Sequence, residues 1–229
     1  MAITRGQPSN LLAAAPSGTS NTVTWPVAPT AGDKVMLWFW TANSDASAIV
    51  SVVDNGSPAT TFQLATAQLV SGNHAWIYYG DQVQPSGAYS VTVTLDLSGV
   101  DIEVFGLALK GALDGPPADV NHVNNGLANS ASTGVSGAGA GNYYAAVISI
   151  AGGGNPVGIS SGGSFVQQMA QQDGGAHQAG AVADLIGDGP QACTFSWTGT
   201  AATSGTAIAV FPPSGDSVAM TRPLSVPSL

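Results

Sequence analysis

The sequence predicts an all-β protein: a jelly-roll-like, two-sheet antiparallel β-sandwich built by internal duplication, with extended N- and C-terminal arms. Three observations predict it. Runs of strand period recur along most of the chain, separated by Gly, Pro, Asn or Asp. The order of those runs occurs twice. Charged residues make up only 7% of the 229, against 44% hydrophobic and 30 Gly, so the wet surface must be built from Ser, Thr, Asn, Gln and Gly. Five Trp and the regular Val, Ile and Leu runs separate the chain from a disordered polar one.

In chain order, residues 1–18 lack strand periodicity and read as an arm. Strands are then expected at NTVTW, DKVMLWFW, SAIVSVVD, TTFQLATAQLV and NHAWIYY. AYSVTVTLDL shows the clearest alternation, with Val91, Val93, Leu95 and Leu97 facing one way and Ser90, Thr92, Thr94 and Asp96 the other. DIEVFGLALK closes the first half. Beyond residue 130 come NYYAAVISI, SFVQQMA, HQAGAVADLI, QACTFSW and GTAIAVF. FVQQMAQQ is read as a strand, with a helical turn as its alternative. Residues 214–229 carry prolines and spaced apolar side chains, and read as a second arm.

GDKVMLWFW near residue 32 corresponds to GNYYAAVISI near 141, and TFQLATAQLVSGNHAWIYYGDQ to SFVQQMAQQDGGAHQAGAVADL, with His74 and His177 in register. SVTVTLDL matches ACTFSWTG, and VFGLALKGAL matches AIAVFPPSG. These matches place one duplicated sandwich over residues 19–213, with repeat halves at about 20–112 and 130–213. Two similar halves are expected to bring their sheets face to face around one core.

Composition excludes some partners. Lys and Arg number four (Arg5, Lys34, Lys110 and Arg222) and the formal net charge is −9, so a phosphate backbone is repelled and nucleic acid is not expected as a partner. No apolar run approaches the roughly 18–20 residues of a membrane span, so no membrane association is expected. The five apolar residues Leu11–Ala15 fall short of the roughly 7–15 of a secretory segment, so no signal peptide is expected. Cys193, alone, cannot form an intrachain disulfide and alternates with Phe195 and Trp197 as a small buried side chain.

Residues 158–162, GISSG, match the nucleophile elbow G-x-S-x-G, which requires a strand entering and a helix leaving. Here the match lies within AGGGNPVGISSGGSF and another strand follows, so it is read as a loop and Ser160 as no nucleophile. His74, His122 and His177 are dispersed and lack metal-ligand spacing, DLIGDGP lacks the oxygen series of a calcium loop, and no cofactor is implied. Asp101 and Glu103 lie two apart, as on a solvated strand edge, rather than as a glycosidase pair. Asn55-Gly56-Ser57 has the form of a glycosylation sequon and reads as a turn. No catalytic, cofactor-binding or metal-binding residues are assigned.

The strand DKVMLWFW is apolar on both faces, Val35, Leu37 and Phe39 against Met36, Trp38 and Trp40. It is either a central strand covered on both sides, or a core face backed by a subunit interface; a platform of exposed Trp and Tyr for sugars is a third reading. Candidate interface residues are Met36, Trp38 and Trp40, together with Met220, Arg222, Leu224, Val226 and Leu229 of the C-terminal arm.

The run VSVVDNGSPATTFQLATAQLVSGNHAWIYYGDQVQPSGAYSVTVTL, with SFVQQMAQQ through FSWTGTAATSGTAIAVF, resembles β-sandwich modules of minor tail or capsid-associated proteins in tailed phages of actinobacteria. The resemblance covers residues 20–212 and brings no catalytic residues with it. It implies a non-enzymatic structural virion protein, assembled in the host cytoplasm, most simply a capsid decoration or minor capsid protein. The implied partners are other virion proteins (major capsid protein or tail proteins) and copies of the chain itself. The alternative is a minor tail or cell-surface module that binds host glycans.

Overall fold

A computed structural model describes residues 1–10, 12–14, 19–42, 49–70, 73–96, 102–137, 139–151, 157–172 and 178–215. The fold is all-β, and its strand pairings are antiparallel. The first half contains β1 (Thr4–Pro8), β2 (Leu12–Ala14), β3 (Ser20–Thr24), β4 (Lys34–Ala42), β5 (Ile49–Asp54), β6 (Gln63–Val70), β7 (Asn73–Gly80), β8 (Ser90–Leu95) and β9 (Ile102–Lys110). The second contains β10 (Asp119–Ala128), β11 (Ser130–Ser132), β12 (Asn142–Ala151), β13 (Val157–Gly162), β14 (Val166–Gln172), β15 (Gln178–Gly187), β16 (Thr194–Thr198) and β17 (Ala202–Phe211).

Each half is itself a sandwich of one large and one small sheet. The large sheet of the first half has the order β1-β9-β4-β7-β6, with β2 also on β9, and its small sheet is β3-β8-β5. The second half repeats both: β10-β17-β12-β15-β14 and β11-β16-β13. The correspondence extends to irregularities. In β6 the register slips between Leu64, opposite Tyr78, and Thr66, opposite Ile77; in β14 it slips between Gln167, opposite Ala183, and Met169, opposite Val182. Ile77 therefore corresponds to Val182, and Trp38, across from Ile77, to Val147, across from Val182. Counting back three residues, His74 corresponds to Ala179 rather than to His177, which lies outside the described residues.

The alternation of side chains explains how four sheets stack. On β4 and β9, Met36, Trp38, Trp40, Phe105, Leu107 and Leu109 face the second half, where Tyr143, Ala145, Val147, Ala207, Ala209 and Phe211 meet them. The intervening Val35, Leu37, Phe39 and Val104 face the small sheet with Val23, Val52, Val91 and Val93. A third core lies between β12, β15 and β17 and the small sheet carrying Phe195 and Trp197. A large sheet covered on both faces reads as continuous apolar sequence, and a small sheet covered on one face alternates, as in β3 and β16. The two halves thus meet through their large sheets, small sheets outermost.

Three segments differ from expectation. The N-terminal arm contains two strands: β1 and β2 both pair with β9, Ile3 is buried, and the Trp25 Nε1 donates to the Gln7 carbonyl at 3.1 Å. β10, in a stretch with no expected strand, is the counterpart of β1 beside β17, so the second half begins at Asp119 rather than near 130. GISSG lies in β13, paired with β16. FVQQMAQQ forms β14.

Candidate functional site

Met36, Trp38 and Trp40 are each 0% exposed, at the junction between the halves. They form an interface, but one internal to the chain, and a second subunit has no access to them. Their fit depends on small residues opposite. Trp40 projects toward Gly180 of β15, where any Cβ would overlap the indole ring. Ser149, the counterpart of Trp40, is flanked in its sheet by Gly180 and Gly205. One half presents the bulky ring; the other presents a Gly–Ser–Gly row that admits it.

Two cations pair with carboxylates, and one of them is drawn inside. Lys34, at the start of β4, has a side chain only 1% exposed. Its Nζ donates to Asp81 Oδ1 and, at 3.0 Å, to the Gly115 carbonyl, and it lies 4.6 Å from the Tyr79 ring centre and 4.8 Å from that of Phe211. Burial pushes the amine below its ordinary range, and its bond to Asp81 opposes that shift. Arg5 on β1 reaches across to Asp184 of β15 at 2.8 Å. Asp184, 0% exposed, also accepts from the Tyr143 hydroxyl at 2.9 Å and the Gln168 amide at 2.8 Å. The Arg5 guanidinium is held above its usual range by that bond. Asp184 is thus fully used as a cross-sheet anchor.

The remaining residues singled out from sequence are dispersed. Ser160 is exposed on β13, its hydroxyl 3.4 Å from the Ser196 carbonyl. Ser160 pairs with Ser196 as Ser51 pairs with Thr94 in the first half, so the position belongs to the repeated ladder. His74 is buried against Trp76, with ring centres 4.9 Å apart, and burial lowers its pKa; His122 lies on β10. Glu103 is buried at 4% on the interior strand β9, which corrects the solvated-edge reading, while Asp101 lies outside the described residues. Asn55 forms the expected turn, donating to the Ala88 carbonyl at 2.7 Å and accepting from the Ser90 amide at 3.0 Å. Cys193 is buried, and burial raises its thiol pKa. Among the described residues no three His, Cys, Asp or Glu side chains gather as metal ligands, and no helix is long and apolar enough to cross a membrane.

Every Trp and Phe is buried, as are all Tyr except Tyr78, which is half-buried, so the aromatic platform for sugars is not on the surface. The exposed large apolar side chains lie elsewhere; some, such as Val27, Val50, Val135 and Val166, are scattered, and four lie on two strands. Leu64 and Leu69 are 51% and 58% exposed on β6, and Val120 and Leu127 are 40% and 73% exposed on β10. Both strands are outermost in their large sheets and pack on each other across the junction. Sequence reasoning passed over these residues because an edge strand has no fixed alternation. Met220, Arg222, Leu224, Val226 and Leu229 lie outside the described residues. No protein-family model matches the chain, and neither a curated protein nor a solved structure matches it.

Proposed function

We propose that the protein is a non-enzymatic structural component of a tailed-phage virion, a capsid decoration or minor capsid protein that binds other virion proteins at the particle surface. The observation that carries this reading is where the side chains are spent. Lys34, Arg5, Asp184 and Asp54 serve internal contacts, while aliphatic residues sit exposed on the outermost strands β6 and β10. An outer strand presents unpaired backbone groups, and added apolar side chains make it a surface for another chain. The sequence resemblance to phage modules supplies the setting. The glycan-binding alternative draws no support from the aromatics, which are interior.

The test is the protein's copy number in purified particles, set against the major capsid protein. A decoration protein is present in numbers comparable to the capsid subunits; a few copies per particle would assign it to the tail, and absence would refute the reading. Leu69→Lys with Leu127→Lys should reduce occupancy on the particle without lowering the melting temperature.

A further inference from the structure

The corner where the first half passes into the second holds more than an ion pair needs. Val35 of β4 lies opposite Gly80 of β7, so Lys34 and Asp81 are the next residues across from each other. Tyr79 and Phe211 wall the amine, Phe211 coming from the second half, and the lysine side chain is 1% exposed. Asp81 is gripped on both oxygens: Oδ1 by the Lys34 Nζ, Oδ2 by the Gly115 N–H at 2.7 Å. The Gly115 carbonyl accepts from the same Nζ at 3.0 Å, holding the amine beside the carboxyl group. Gln82, directly after Asp81, has φ of 51°, the one positive φ of a non-glycine among the described residues. Its side chain holds the Asp114 carboxylate at 2.6 Å, and the charge of Asp114 acts on the amine.

We propose that Lys34 and Asp81 are the two ends of an intramolecular isopeptide bond that forms once the chain has folded, a self-modification clamping β4 to β7 beneath the connector between the halves. The reacting form of the pair is a neutral amine beside a carboxylic acid, reached when one ammonium proton passes across the Nζ–Oδ1 contact; burial of the amine disfavours its charged form. The Nζ lone pair then adds to the Asp81 Cγ, and the charge that develops on Oδ2 is met by the Gly115 N–H. Oδ1, already carrying the first proton, takes a second from Nζ and leaves as water. One N–C bond forms, one C–O bond breaks, and ammonium plus carboxylate become amide plus water; no oxidant or cofactor takes part. Fixed proximity supplies the driving advantage that the same two groups lack in solution.

The mass of the purified full-length chain under denaturing conditions tests this. The wild type should be lighter than its sequence by one water, and a protease digest should yield a branched peptide joining Lys34 to Asp81. Lys34→Met should restore the full mass, and Asp81→Asn should lose one ammonia in place of water, because the amide nitrogen is then the leaving group. A wild-type chain at full sequence mass overturns the proposal. So does a water loss that persists in Lys34→Met, or that maps to an aspartyl-glycine cyclisation such as Asp114-Gly115. Failure of Asp81→Asn to fold leaves the decision with the other two chains, whose masses suffice.

Discussion

Trp40 and Gly180 show how little latitude a single position has at the junction. A methyl group at Gly180 would fall inside the indole, and β12 and β15 are too closely paired to shift aside. Gly180→Ala should therefore destabilise the fold by about 1–3 kcal/mol in urea titration. In a Trp40→Leu background the same change should cost much less, since the clashing ring is gone. His74 allows a second prediction. Burial lowers its pKa below the ordinary 6.5, so the folded chain declines a proton that the unfolded chain accepts. Above pH 6.5 both states are neutral and the residue contributes no pH dependence. As pH falls below that value, stability should decline until the folded-state pKa is passed. His74→Phe should remove that part of the decline, read as a flatter dependence of the urea midpoint on pH.

The strands divide into those that packing writes into the sequence and those it does not. β8 alternates because one face meets Phe39 and Val104 while the other meets water; β4 and β9 are apolar over most of their length because both faces are covered. β1 and β10 carry no such period. They are the same outermost strand of the two large sheets, and TRGQP and DVNHVNNGLA are shaped by hydrogen-bond partners more than by a buried face. GISSG reads as a loop from its composition, and becomes strand because β16 supplies the ladder. The ion pairs were legible only as single charged residues, because their partners lie 47 and 179 positions away. β1 is structural: Ser9 accepts from the Gly106 amide through its hydroxyl and donates its own amide to the Gly106 carbonyl, both at 2.8 Å. Deleting residues 1–9 would strip the buried Asp184 of Arg5 and Trp25 of its acceptor, and should cost about 1–3 kcal/mol, the scale of leaving a buried polar group short of a partner. Ser160→Ala should stay within about 0.5 kcal/mol of wild type, as for an exposed position. Parallel thermal melts of the two variants check both statements.

At the scale of the molecule, the core shared by the large sheets belongs to neither half alone. Separated after the connector, each half would expose a face of Trp38, Trp40 and Phe105, or of Tyr143, Val147 and Phe211, to water. Each half expressed alone should aggregate or bind a hydrophobic dye, whereas co-expressed halves should recover a soluble complex; two soluble, well-folded monomeric halves would contradict the shared core. The covalent path around that core matters less. The Met1 amine is hydrogen-bonded to the Ser214 carbonyl, the Ser214 amide to the Gly111 carbonyl, and Leu113 to Pro212, so the first residue, the connector and the end of β17 share one corner. The backbone from Met1 to Ser214 therefore comes back almost to its starting point. Joining residue 215 to residue 1 through a short linker and opening the chain between residues 114 and 117 would make the halves emerge from the ribosome in reverse order, with the same four sheets still able to assemble.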